Sequence, residues 1–262
     1  MTKPTPAVDA ASLLLIRDST VGLETLMVSR HTGAAFAPGA LVFTGGKVDR
    51  GDFAPDLANR CDGAANLDPA ALAPRIAAIR EAFEEGGVFL ARAGTEREFL
   101  DGRRATTLQI HRGPLARSEI TLHRLLADED LILGADRLEP FAHWITPEFR
   151  PLRFDTRFYL AVAPEGQEPT PDGVETMTSF WTTPAHALAG GRAGRWDLMM
   201  PTRLNLERLG RSASVAEALA TARGSKVVTV TPWIERRADG AVLRIPDHAG
   251  YGEIAEPVGD RR

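Results

Sequence analysis

The sequence predicts a mixed α/β domain, and three observations carry that reading. Short apolar runs rich in β-forming residues recur along the chain. Stretches with helical periodicity separate them, so the order is neither all strand nor all helix. The length of 262 residues and an apolar content of 44% suffice for one sizeable core.

The elements follow in order. Residues 1–10 read as a loose leader. Ser12 to Ile16 and Leu23 to Ser29 read as strands joined by the hairpin-like segment Asp18 to Gly22. Leu41 to Phe43 is a short strand that runs into the Gly45-Gly46 pair, read as a turn. Residues 49–68 are loop-like. Asp68-Pro69 caps a helix that continues to Glu85, with a break or restart at Pro74 and a stop at Gly86-Gly87. Residues 96–133 read as mostly helical. Phe141 to Thr146, Phe154 to Val162 and Thr176 to Trp181 read as strands. Pro184 to Leu188, Thr202 to Leu209 and Ser214 to Ala222 read as helices, and Val227 to Val230 and Ala241 to Ile245 as late strands. No repeat or long linker divides the chain.

Bulk properties exclude several classes of function. The net charge is -4, so no positive field gathers nucleic acid. Lys3, Lys47 and Lys226 are the only lysines among 31 basic residues, leaving 28 arginines, but these are spread along the chain rather than clustered. The single cysteine, Cys61, excludes an internal disulfide and a cysteine-based zinc site, which suits a reducing compartment. The longest apolar run, Phe158 to Ala163, is too short to cross a bilayer. The expectation is a cytoplasmic protein with no membrane partner. The six histidines show no paired metal spacing, and Trp181 and Trp233 read as core residues. There is no P-loop, dinucleotide glycine fingerprint or nucleophile elbow.

The informative segment is Arg75 to Val88. At about 100° per residue, Ile76, Ile79 and Phe83 form one apolar seam. Glu81, Glu84 and Glu85 fall on another face and converge on one patch. Alone, such spacing reads as a solvated acidic face. A divalent cation would reverse the repulsion, because hard cations prefer carboxylate oxygen and bridge it to phosphate. The upstream glycines sharpen this choice, since Gly45-Gly46 lets backbone approach a ligand or ion closely.

Together these segments resemble the Nudix box. Its second half is complete at Arg80-Glu81-Ala82-Phe83-Glu84-Glu85-Gly86-Gly87-Val88. Its first half begins at Gly46, and Asp52 stands where the pattern has Glu. Residues 53–79 then interpose 27 positions where the pattern has seven. An interrupted box of this kind resembles the branch of peroxisomal acyl-CoA diphosphatase-like proteins and their bacterial relatives. So do Pro38 to Gly46, His143 to Pro147, Arg153 to Phe158 and Pro201 to Leu206.

The resemblance implies a Nudix α/β/α sandwich with a mixed sheet, spanning residues 10–250. It adds an insertion at 53–73 and extra helices at 96–133 and 202–222. It implies Mg²⁺ or Mn²⁺, with Glu81 and Glu85 as main ligands, Glu84 assisting, and a backbone carbonyl near Gly45 or Gly46 completing the shell. Arg80 would orient a glutamate through a bidentate contact. The general base is Glu81 or a later carboxylate, with Glu175 as the candidate.

The implied activity is hydrolysis of a diphosphate linkage in a small nucleoside diphosphate derivative, a CoA ester among them. The upstream pattern of CoA-cleaving relatives is kept at Leu26, Arg30, Gly39, Phe43, Gly45 and Gly46. It is lost at His31, at Ala35 where that pattern has a second Arg, and at Thr44. Arg30 either meets a phosphate or is a strand-end surface residue. A non-catalytic nucleotide sensor on the same fold is the alternative, and a homodimer is left open.

Overall fold

A computed structural model describes residues 5–33, 37–94, 96–238 and 240–258. Ala35, which carries one departure from the CoA-linked pattern, lies outside the described residues.

The chain opens with β1 (Val8–Ser19) and β2 (Gly22–Arg30), an antiparallel hairpin, followed by β3 (Leu41–Val42) and β4 (Thr44–Lys47). A 3-10 turn at Arg50–Phe53 and the short α1 (Pro55–Ala58) lead to α2 (Pro69–Gly86). Then come β5 (Ala91–Ala93), α3 (Gly102–Leu108), α4 (Arg112–Ala116), α5 (Leu122–Asp128) and β6 (Leu131–Leu133). The second half holds β7 (Glu139–Ile145), β8 (Phe154–Val162), β9 (Thr176–Thr182), α6 (Pro184–Arg192), α7 (Met200–Leu209) and α8 (Val215–Gly224). Strands β10 (Thr229–Val230), β11 (Trp233–Arg237), β12 (Gly240–Arg244) and β13 (Ala255–Pro257) close it.

Eight strands form one mixed sheet in the order β10-β7-β8-β1-β2-β3, with β4 paired to β1 and β9 to β2. The β1–β8 pair is parallel from Val8↔Phe154 to Ile16↔Val162. Alternation along β1 divides the molecule into two cores. Leu13 and Leu15 point to one face and pack with Ile76, Ile79 and Phe83 of α2 and with Leu115 and Leu125. Leu14 and Ile16 point to the other and pack with Ala187, Leu204, Leu206 and Ala218. Both faces are therefore covered, which explains an unbroken apolar run rather than an alternating one. The result is the expected α/β/α sandwich.

Four local expectations are corrected. Pro74 does not break α2, which runs through it. The carbonyl that Pro74 leaves without a partner belongs to Ala70, an exposed residue that water can serve. Gly45-Gly46 is not a turn but part of β4, paired as Ala11↔Gly46 and Ser12↔Gly45. Residues 131–133 are strand rather than helix and pair with β5. Trp233 is 44% exposed rather than in the core. Trp181 is half-buried and lies under the Arg17 guanidinium at 4.4 Å.

The interruption of the box is compact. It contains α1, a 3-10 turn at Ala64–Asn66 and the first turns of α2. Cys61 is buried there, and burial pushes its thiol up to about 12. At pH 8 only about one such thiol in 10⁴ is ionised. The native chain should therefore react with Ellman's reagent only as fast as it opens. Prompt labelling under native conditions would show that the insertion is not packed as described.

Candidate active site

Helix α2 starts and stops for local reasons. The Asp68 side chain accepts from the Ala71 N–H, and Gly87 ends the helix at φ 72°, where a side chain would be strained. Between these caps the helix lies in the first core on most sides. Its acidic face is accordingly buried. Glu84 is 8% and Glu85 3% exposed, and Glu81 is half-buried.

Arg80 organises this face. Its Nε and Nη2 donate to Asp52 Oδ1 and Oδ2, both at 3.0 Å. Its Nη1 donates to Glu81 Oε1 at 2.9 Å and Glu84 Oε2 at 3.0 Å, and Nη2 also reaches the Lys47 carbonyl at 2.9 Å. The bidentate contact is thus to Asp52, whereas the expectation placed it on a glutamate. A shorter Asp suffices because the 3-10 turn brings residue 52 against the helix. Asp52 Oδ2 also accepts from the Asp49 N–H at 2.8 Å, which fixes that turn. The long interruption leaves and returns without separating Asp52 from Arg80.

Glu85 turns the other way. Its Oε2 accepts from the Gly45 N–H at 2.9 Å, and Oε1 lies 3.8 Å from Arg30 Nη1. The glycines of β4 permit this approach. A Cβ on Gly45 would meet the Ala11 carbonyl oxygen at 2.4 Å, and one on Gly46 would meet Glu81 Oε1 at 2.3 Å. The structure therefore brings Arg30, Gly45, Gly46, Arg80, Glu81, Glu84 and Glu85 to one place. Residue 175 joins them: Glu175 is exposed, and its charge acts on both Glu81 and Glu85.

The electrostatics show too little positive charge. Burial pushes the Glu84 carboxyl up to about 8 against the opposing pull of Arg80. Burial also raises Glu81, with Arg80 opposing and Glu175 and Asp52 adding repulsion. It raises Glu85 well above the carboxylate range, with Glu81 repulsion second and the Gly45 N–H and Arg30 opposing. Burial alone would lower the Arg80 guanidinium, but Glu81, Asp52 and Glu84 outweigh it and hold it above its usual value. The carboxylates of Asp52, Glu81, Glu84 and Glu85, with Glu175 beside them, thus outnumber the guanidinium groups of Arg80 and Arg30.

The donor set of three glutamates with an adjacent backbone strand suits a hard divalent cation. A cation there would favour the ionised form of carboxylates that burial and mutual repulsion now hold above their usual range. As placed, Arg80 stands between Glu81 and Glu84, and among the described residues no three His, Cys, Asp or Glu side chains converge on a single ion position. A cleft of about 2310 Å³ opens beside the carboxylates and is lined by Arg30, Lys47, Glu81, Glu84 and Glu175. It continues over an apolar wall that includes Phe154, Phe158, Leu198 and Met200.

A carboxylate helix clasped to a glycine strand within an α/β/α sandwich is the arrangement of Nudix hydrolases. Comparison with known proteins agrees. The family model for the NUDT19 Nudix domain matches residues 58–209, more than half of the sequence, and the chain belongs to that family. That match contains Arg80 to Glu85 but not Gly45, Gly46 or Asp52, which are joined to the site by geometry. Human acyl-coenzyme A diphosphatase NUDT19 is 27% identical over 278 residues, covering 90% of this chain and 74% of that protein. The putative nudix hydrolase 7 of Caenorhabditis elegans is 30% identical, covering 77% and 60%. Among solved structures, a NUDIX hydrolase from Alicyclobacillus acidocaldarius superposes with a TM-score of 0.66 at 27% identity, covering 82% of this chain and 96% of that one. No helix among the described residues is long and apolar enough to cross a membrane.

Sequence reasoning missed Asp52 as the partner of Arg80, and it missed Arg112 altogether. The Asp52 signal was present in its place in the box. Arg112 carries none, being one arginine among many on a short helix.

Proposed function

We propose that this protein is a metal-dependent Nudix diphosphatase that cleaves the diphosphate linkage of a nucleoside diphosphate derivative, with a CoA ester as the leading substrate. The observation that carries this reading is the buried, undercompensated carboxylate cluster of α2, whose Glu81 and Glu84 line a large cleft. Glu81 and Glu85 would hold Mg²⁺ or Mn²⁺, with Glu84 assisting. The ion would supply charge neutralisation at the diphosphate and a water of lowered pKa.

The chain's own residues do the rest. Arg80 and Asp52 keep the carboxylates in register, and the Gly45 N–H orients Glu85. Arg30 lies on the cleft wall beside Glu85, where it can meet a phosphate oxygen with its planar fork. Glu175 faces the cluster from the opposite loop and is the candidate base. The cleft exceeds the roughly 300–1,000 Å³ of ordinary ligand pockets. That size and the apolar wall suit a large substrate with an acyl arm, and the name of the human relative points the same way.

The test is a panel of CoA esters, dinucleoside polyphosphates, NADH and nucleotide sugars with Mg²⁺, Mn²⁺ or chelator, both products being read by mass. Metal-dependent diphosphate cleavage, fastest for a CoA ester, is expected. Binding without any product over hours would instead favour a sensor.

Two further outcomes follow. Mn²⁺ at about 100 times its Kd should stabilise the fold by about 2.7 kcal/mol, raising Tm in the wild type and not in E85Q. G46A should keep the fold, because the added methyl meets the flexible end of Glu81. By displacing that carboxylate it should weaken Mn²⁺ binding about tenfold or more, by the scale seen when ligand support is lost. Unchanged affinity by titration calorimetry would remove Glu81 from the site.

A further inference from the structure

An α-helix ends with four carbonyls that have no partner inside it. In α2 these belong to Phe83, Glu84, Glu85 and Gly86, and every one is taken. The Phe83 carbonyl accepts from the Gly87 N–H at 3.0 Å. The Glu84 carbonyl accepts from Arg112 Nε at 3.1 Å and Nη2 at 2.8 Å. The Glu85 carbonyl accepts from Thr176 Oγ1 at 3.0 Å, and that of Gly86 from the Thr170 N–H at 2.9 Å. Three of these four partners come from beyond the helix and its cap, and two, Thr170 and Thr176, bracket one loop that ends at the start of β9.

Arg112 ties the two segments together. Besides the Glu84 carbonyl, its Nη2 donates to the Thr170 carbonyl at 2.8 Å, and its Nη1 donates to Gln109 Oε1 at 2.9 Å. Gln109 in turn donates to the Gly87 carbonyl at 2.8 Å. Arg112 is 7% exposed, and these bonds all run to neutral oxygens. Burying a cation this way is costly unless its donors are satisfied, and it favours the negative end of a helix dipole. Only a planar fork reaches both backbones at once.

The loop so held has its own internal brace. Asp172 Oδ1 accepts from the N–H groups of Val174 and Glu175 at 3.1 Å and of Thr176 at 2.8 Å. From the far side, the His31 N–H donates to the Glu175 carbonyl at 2.8 Å. Glu175 therefore rides on a braced loop whose register with Glu84 and Glu85 is held by Arg112 together with the Thr170 N–H and the Thr176 hydroxyl.

We propose that Arg112 is a positioning residue, which locks the 170–176 loop onto the end of the carboxylate helix so that Glu175 stays opposite Glu81 and Glu85. The inference rests on the diphosphatase reading and goes beyond it, because it gives the helical addition of α3 to α5 a part in the site.

The test is a double-mutant cycle with E175Q, read as kcat and KM on the best substrate of the panel. R112M should lower kcat by about 10- to 100-fold, the scale of lost supporting bonds, with KM little changed, and R112K should fall between. In the E175Q background the same R112M change should cost less than about threefold, because residues that act as a unit are not additive. An equal loss in both backgrounds, or an E175Q protein with undiminished kcat, overturns the proposal. Should R112M fail to fold, D172A frees the same loop from its half-buried side and must show the same non-additivity.

Hydrogen exchange gives a reading independent of activity. R112M should speed exchange at the Thr170 and Glu175 amides while Ile79 in α2 keeps its protection. Unchanged protection at Thr170 also overturns the proposal. A wild-type protein inert on the whole panel overturns the diphosphatase reading, and the exchange arm then decides the loop contact alone.

Discussion

The expected result of E85Q is a loss of turnover of at least about 10²-fold at saturating Mg²⁺ or Mn²⁺, with the fold intact. The magnitude is that of removing a group that acts directly on the reacting centre. The fold should survive because Gln keeps the oxygen that accepts from the Gly45 N–H, and burial no longer opposes a charge there. Gln also removes an anionic oxygen that a divalent ion would use as a ligand. Steady-state kinetics with thermal unfolding of the same sample checks both halves. Full activity in a folded E85Q protein would remove Glu85 from the chemistry.

The largest effect on stability is expected at Arg80. R80M fills similar space but strips the partner from Asp52, which is 3% exposed, and from Glu84 and Glu81. Removing one side of a buried ion pair costs about 3–5 kcal/mol, because the other side stays buried and charged. Urea unfolding in chelator should show a drop of that size in ΔG, and saturating Mn²⁺ should restore part of it. A midpoint equal to that of the wild type would mean that the carboxylates do not depend on Arg80. The pairing of E85Q with R80M separates roles. One is expected to change rate without lowering metal-free stability, the other to change stability first.

Much of this was legible in the sequence, for reasons that differ by element. Phe154–Val162 was readable because its length and β-forming residues leave few options. The run Leu13 to Ile16 was legible as strand, and the two cores explain why it does not alternate. The carboxylate helix was legible through the spacing of Arg80, Glu81, Glu84 and Glu85. Strand β4 was not, because glycine pairs favour turns, and only the contacts with Ala11 and Glu81 show why they are in a strand. Strands β5 and β6 are three residues each, too short for any periodicity. The path of α2 through Pro74 depended on whether Ala70 is exposed, which is a tertiary fact. Asp52 reads as a weakened box position, whereas in three dimensions it is the bidentate anchor of Arg80. Arg112 could not be found by pattern, since its role is set by which carbonyls the fold leaves beside it.

On this reading, water opens a diphosphate at the α2 carboxylates. The most direct measurement runs a CoA ester with Mn²⁺ in ¹⁸O-labelled water and weighs both products. The expected products are adenosine 3′,5′-bisphosphate and an acyl phosphopantetheine, with one ¹⁸O per turnover carried on a single phosphate, and no reaction in chelator. Release of a free acid and intact CoA, or binding with no product at all, would contradict it.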